Sequence, residues 1–299
     1  MFNESNLFIV GAPKCGTTTL AYWLSQHEEI FMPAIKEPHF YNTDSNHRVI
    51  TVRSDYLKLY SSLESESANY RLDASVWYLY SEAAIRNIEE ENRLKKARYI
   101  VCLRNPVEMA PSLHQELFMG GSETVKNFRE AWSLQDNRAQ GKDIPPSSHE
   151  PKHLIYRDIC SLGKYTQRLM SMVADSERVF FVTLDEMRES PRATLEEIFS
   201  FLNLEAPRFP VNLDVKNEAR KPKYYLLDNL YKKLLALRYK YFSWLPSLGF
   251  LRFLKKGNVS FEKGKINALS DQEKQALTVF FQEDMALLSK ITGKKVTER

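Results

Sequence analysis

One stretch near the start, LFIVGAPKCGTTTLAYWL at residues 7–24, limits the fold more than any other. Its apolar opening reads as a strand covered on both faces. A loop bounded by Gly11 and Gly16 follows, and three threonines open a helix whose core face carries Leu20, Trp23 and Leu24. The glycines let the backbone turn tightly and come close to a ligand. The first-turn N–H groups of such a helix, with its dipole, face whatever sits at the strand's carboxyl end. Lys14 adds a full positive charge, and Thr17, Thr18 and Thr19 add hydroxyl donors. The unit is an oxyanion site, most simply for phosphate. In a Walker A loop the lysine follows the second glycine. Here Thr17 holds that place and Lys14 lies two residues before Gly16, which disfavours an ordinary ATP or GTP hydrolase. Cys15 is open to two readings, a thiolate favoured by the lysine and helix end, or a small loop-filling residue.

The remainder fits an α/β fold with a central parallel sheet flanked by helices. Strands are expected at Asn6–Val10, Tyr70–Ala74, Tyr99–Leu103 and Val179–Thr183, alternating with helical patterns. These helices are expected near Gly16–Gln26, Ser81–Leu94, Val107–Phe118, Phe128–Arg138 and Asp158–Val173, with another opening at Ser190-Pro191 and a last one at Ser270. With 299 residues, 43% of them hydrophobic, the chain has the apolar material for one large domain. A formal charge of +4 is too mild to imply nucleic-acid binding. Three cysteines, Cys15, Cys102 and Cys160, cannot close a disulfide framework and point to a reducing compartment. No apolar run approaches the roughly 18 residues of a membrane span, and the N-terminus lacks a basic signal region, so a cytoplasmic protein is expected.

One segment breaks the charge balance. Arg220–Lys256 holds ten Lys or Arg residues, one acid (Asp228) and nine aromatic residues. It reads either as a solvated amphipathic helix packing its aromatics on the core, or as a surface for an anionic ligand or a peripheral membrane contact.

Four further motifs join the first in a resemblance. The order P-K-x-G-T-T resembles the loop that grips the 5′-phosphosulfate of 3′-phosphoadenosine 5′-phosphosulfate (PAPS) in sulfotransferases. In YIVCLRNPVEMAPSLHQEL a strand ends at Arg104, and Ser112 follows eight residues later on a helix. This resembles the family element in which an arginine and a serine bind the 3′-phosphate, and a guanidinium at a strand end does offer a planar fork for phosphate. KEPHFYNTD, Lys36–Asp44, is similar to the K-E-x-H-F-F segment of the glycan-type enzymes, including those acting on heparan sulfate. That likeness makes Glu37 the implied general base, with His39 the alternative base and Lys36 flanking it. RLDASVWYLY resembles the G-E-x-[ST]-P-x-Y-L segment but has Asp73 for Glu and Val76 for Pro, so Ser75 and Tyr78 receive no role. FEKGKINALSD resembles a K-G-R loop that closes over PAPS; Lys263, Gly264 and Lys265 match it, with lysine in place of arginine.

The resemblance runs from Leu7 to Ile291 in the family's order. It implies a single P-loop-like, sulfotransferase-type domain, with 220–265 a basic aromatic flap or helical insertion. Lys14, Cys15, Gly16, Thr17, Thr18, Thr19, Arg104, Ser112, Lys263, Gly264 and Lys265 would hold PAPS. Glu37, Lys14 and His39 would carry the chemistry. The acceptor would be a hydroxyl, favoured on a saccharide or glycolipid, and no metal is called for. Two rivals stay open: a metal-dependent phosphoryl-transfer enzyme, and a non-catalytic nucleotide-binding protein on the same fold.

Overall fold

The structure is a computed structural model. It describes residues 4–94, 96–215 and 269–296, together with the short strands Lys221–Pro222 and Val259–Ser260. The chain divides into two compact units, Met1–Lys216 with Asn267–Arg299, and Asn217–Ile266.

The first unit is built on five parallel strands: β1 (Leu7–Gly11), β2 (Ile30–Phe31), β3 (Tyr70–Asp73), β4 (Arg98–Leu103) and β5 (Val179–Thr183). They lie in the order β2-β3-β1-β4-β5, so the strand carrying the glycine loop is central. Every side chain of Leu7–Val10 and of Tyr99–Leu103 is fully buried, which is why these two segments read as continuous apolar runs. Each such aliphatic or aromatic residue contributes roughly 1.5–3 kcal/mol. The loops at the strand ends therefore grow from the least yielding part of the molecule.

The flanking helices are α1 (Thr17–Leu24), α2 (Arg53–Lys58), α3 (Leu63–Ser67), α4 (Glu82–Glu91), α5 (Pro106–Gly120), α6 (Phe128–Ser133), α7 (Gln135–Ala139), α8 (Tyr156–Ile159), α9 (Leu162–Val173), α10 (Leu184–Glu189), α11 (Pro191–Leu202) and α12 (Asp271–Thr292). The expected helix at 158–173 divides in two, and the reason lies far along the chain. Asp284 of α12 accepts the N–H groups of Gly163 and Lys164 at 2.8 and 2.9 Å, giving α9 its own capped start. A Cβ on Gly163 would lie 2.4 Å from the Asp284 carbonyl oxygen, so only glycine allows this approach. The last helix opens at Ser270 as expected, where Ser270 and Glu273 form a capping box.

In the second unit, β6 (Lys221–Pro222) pairs antiparallel with β7 (Val259–Ser260). The rest of the basic aromatic segment 220–265, Lys263, Gly264 and Lys265 included, lies outside the described residues.

Candidate active site

Strand β1 delivers its loop to the carboxyl edge of the sheet, where Ala12 N–H donates to the Cys102 carbonyl of β4 at 3.0 Å. Gly16 caps α1 with φ 85°, a left-handed conformation, and a Cβ there would sit 2.9 Å from Leu184 Cδ1. No side chain caps this helix and its first turn holds no acid, so its N-terminal field is left for an outside anion. Thr17 and Thr19 are buried in that first turn. Cys15 faces the other way. Its thiol is fully buried beside Met109 Sδ, at 3.9 Å. Burial pushes its pKa up to about 12, although Arg104 and Lys14 pull against the rise. The thiolate reading of Cys15 is thus set aside. The residue packs the loop, as a small hydrophobe does.

Arg104 stands at the end of the neighbouring strand. Asn105 caps α5 by accepting the Val107 N–H at 2.8 Å, and Pro106 occupies the first helical position, so the R-N-P run is a strand end followed at once by a helix start. The Arg104 guanidinium donates from Nη1 to the Lys14 carbonyl at 3.0 Å, and from Nη2 and Nε to Glu108 Oε2 at 3.0 and 3.3 Å. Three of its five N–H groups are committed in this way. The two expected phosphate elements therefore meet at a direct bond. On α5, Glu108, Ser112 and Glu116 recur at four-residue spacing and share one face. Glu116 Oε2 pairs with Lys14 Nζ at 2.5 Å, so half-buried Ser112 lies on the helix face between the partners of Arg104 and Lys14.

The segment carrying Glu37 and His39 joins the same edge from the other side. His39 N–H donates to Ser75 Oγ at 3.0 Å, just beyond β3. The Phe40 and Tyr41 N–H groups donate to the Tyr78 hydroxyl at 2.9 and 3.3 Å. The same β3–α4 connection closes on the first loop, since a Cβ on Gly11 would lie 2.8 Å from the Val76 carbonyl oxygen. Burial pushes the Cys102 thiol well up, and Lys36 pulls weakly against the rise. Lys36 Nζ donates to Glu37 Oε1, and His39 Nε2 lies 3.4 Å from Glu37 Oε2. Burial pushes the Glu37 carboxyl up, but the His39 imidazole and the Lys36 ammonium more than offset it and bring it to about 2. His39 is 1% exposed, packs edge-on against His47 at 4.8 Å, and neither of its ring nitrogens makes a hydrogen bond.

Seven described non-glycine residues have positive φ: Ala174 and Asn203 are helix C-caps, Lys96 and Asp143 lie in loops, and the other three belong to this site. Lys14, Glu37 and His39 all have positive φ, at 66°, 60° and 47°. Non-glycine residues rarely adopt this conformation, and such strain gathers at functional sites.

The family described as "Sulfotransferase domain" matches residues 4–287. The chain belongs to this family. Among curated relatives, the bifunctional heparan sulfate N-deacetylase/N-sulfotransferase 2 of Homo sapiens is 26% identical over 205 residues, covering 66% of this chain and 22% of that protein. Carbohydrate sulfotransferase 15 of Homo sapiens is 24% identical over 253 residues, covering 67% and 44%. The chain thus spans less than half the length of either relative. A sulfotransferase structure from Alicyclobacillus acidocaldarius superposes with a TM-score of 0.66 at 22% identity, over 98% of this chain and 97% of that one, which shows a common fold.

In this member of the family, the phosphate loop, Arg104, Ser112, Glu37 and His39 gather at one edge of the sheet. Sequence reasoning passed over Ser75 and Tyr78 because their segment departs from the family pattern. It also passed over Glu108 and Glu116, although their spacing around Ser112 is visible along the chain.

Proposed function

We propose that the chain transfers a sulfuryl group from PAPS to a hydroxyl of a carbohydrate or glycolipid. The observation that carries this reading is the 3.0 Å bond from Arg104 to the Lys14 carbonyl, which joins the two anion-binding elements into one strip. The residues fit a doubly phosphorylated nucleotide. An uncapped helix start and Lys14 suit one anionic end, and the remaining Arg104 donors with Ser112 suit the other. The relatives named for heparan sulfate and for carbohydrate support a saccharide acceptor.

Glu37 takes the proton of the acceptor hydroxyl as its oxygen bonds to sulfur. The bond from sulfur to the phosphate oxygen breaks, and adenosine 3′,5′-bisphosphate (PAP) leaves. Lys14 and the start of α1 stabilise the charge that grows on the departing oxygen. His39 orients the Glu37 carboxylate. Unpaired, buried Cys15, Cys102 and Cys160 support a reducing, cytoplasmic setting. No helix among the described residues is long and apolar enough to cross a membrane. A peripheral contact through 220–256 rests on the charge and aromatic content of that segment alone.

The test incubates the protein with ³⁵S-PAPS and a panel of saccharides and glycolipids, then measures pH profiles on the labelled acceptor. Glu37→Gln should cut kcat by about 10²–10⁴. Because the carboxyl sits at about 2, its charged form persists through the acidic range, and kcat/KM should show no acid limb near neutrality. A base that titrates near neutrality would place one there. Preference for ATP with Mg²⁺ over PAP in binding would overturn the reading altogether.

A further inference from the structure

The Glu37–His39 segment hangs from two hydroxyls, and both hydroxyls converge on a single buried carboxylate. Ser75 Oγ donates to Asp73 Oδ1 at 2.6 Å, and the Tyr78 hydroxyl donates to Asp73 Oδ2 at 3.0 Å. Tyr56 supplies a third hydroxyl to Oδ2 at 2.8 Å. Asp73, Ser75, Tyr78 and Tyr56 are all buried, at 1% exposure or less. The direction of each bond is forced. The partners of Ser75 and Tyr78 on the loop side are backbone N–H groups, which can only donate. Each hydroxyl gives its own proton to Asp73; burial pushes that carboxyl up, and the hydroxyls of Ser75, Tyr56 and Tyr78 pull against the rise by donating to its charged form.

We infer that Asp73 is a positioning residue for the catalytic carboxylate: through Ser75 and Tyr78 it holds the backbone from His39 to Tyr41, and so sets where Glu37 and His39 point. This rests on the reading of Glu37 as base. Three features of the fold give the arrangement its purpose. Asp73 ends β3, a strand hydrogen-bonded to β1, so the carboxylate is anchored to the strand that carries the phosphate loop. Glu37 and His39 have left-handed backbone conformations that their own preferences disfavour, so neighbouring bonds must hold them. The ring of Tyr56 stacks on Phe40 at 4.4 Å, so the third hydroxyl donor also braces the segment by packing. A base displaced by about 1 Å loses on the order of 100-fold in rate, and three N–H bonds to two fixed hydroxyls prevent such a drift.

The experiment compares Tyr78→Phe, Ser75→Ala and Asp73→Asn with the wild-type chain by amide hydrogen exchange over His39–Tyr41, by calorimetric PAP binding, and by turnover of ³⁵S-PAPS. Tyr78→Phe and Ser75→Ala keep the shape of the core, so they answer the question even where Asp73→Asn fails to fold. Each should speed exchange of its own loop amides by about tenfold, leave PAP affinity within about twofold, and lower kcat by about 10- to 100-fold with little change in the KM for PAPS. Tyr56→Phe removes a donor to Asp73 but no bond to the loop and keeps the stack on Phe40, so it should leave loop exchange unchanged. Unchanged exchange at residues 39–41 in both Tyr78→Phe and Ser75→Ala overturns the inference. Turnover separates it from the reading beneath it. If Glu37→Gln keeps full activity, the base assignment falls whatever the loop does. If Glu37→Gln is inactive while the loosened Tyr78→Phe and Ser75→Ala variants keep full kcat, the positioning role falls.

Discussion

The two halves of the site are held by opposite kinds of bond. At the phosphate end the cations are tied to carboxylates that solvent can reach: the side chains of Lys14 and Glu116 are 28% and 51% exposed. At the base end the backbone of 39–41 is tied to neutral hydroxyls that rest on a buried acid. An exposed ion pair is worth about 0–1 kcal/mol and trades partners readily. A buried, hydrogen-bonded polar network is costly to open by even one bond. The difference matches what each half must do. Under the proposed function, a nucleotide enters and leaves one end at every turnover, whereas the general base returns to the same place each time.

The largest effect that would break this contrast is expected at Lys14. Lys14→Ala removes the one full positive charge that the phosphate loop itself carries, and its loss should lower kcat/KM for PAPS by roughly 100-fold. Amide exchange over 39–41 should stay as slow as in the wild-type chain. Faster exchange there would mean that the two halves are one cooperative unit. Arg104→Ala should come next. It removes charge-assisted bonds to phosphate, and it also frees the Lys14 carbonyl. The KM for PAPS should rise by roughly 10- to 100-fold, with the acceptor KM nearly unchanged. Arg104→Lys should recover only part of this, because an ammonium cannot hold the Lys14 carbonyl and a phosphate at once as a planar fork does. Equal rises in both KM values would argue against a 3′-phosphate role.

How legible the two halves were in the sequence follows from the same contrast. The phosphate end is local chemistry. A glycine at φ 85°, a lysine and a strand-to-helix junction sit within a dozen residues, and Asn105 with Pro106 announces the next helix directly. Strands β1 and β4 could be read because both-face burial leaves an unbroken apolar run, and β5 because its run is apolar although Phe180 and Phe181 are only partly buried. The base end is assembled from distant pieces. Ser5, Tyr56, Asp73 and Tyr78 meet through hydroxyls across more than 70 residues, and nothing in the spacing of tyrosines says which will share an acid. Strand β2 is two residues long and gives no periodicity at all. The division of the 158–173 helix depended on Asp284, over 100 residues away. Cys15 leaves two readings open in the sequence for a related reason. Its neighbours in sequence are polar, but its side chain turns into the core beside Met109, and burial outweighs both cations.

The smallest expected effect is the most discriminating, because its sign is set by whether Glu116 holds Lys14 for the nucleotide or against it. In the absence of an anion, the Lys14 ammonium is satisfied by Glu116, one turn beyond Ser112 on α5. An entering phosphate must replace that carboxylate, so Glu116→Gln should tighten PAP binding. Both side chains are substantially exposed, so the pair contributes at most about 1 kcal/mol after solvent screening, and the gain in affinity should not exceed about fivefold. Raising the salt concentration should shrink the difference between variant and wild type, since the competing pair is itself screened. Calorimetric titration with PAP at two ionic strengths reads both effects. Weaker binding by Glu116→Gln would show that the carboxylate orients Lys14 toward the ligand instead of competing with it. The phosphate end would then be preorganised in the same sense as the base end, and the contrast between exchangeable and fixed halves would fail at its most exposed bond.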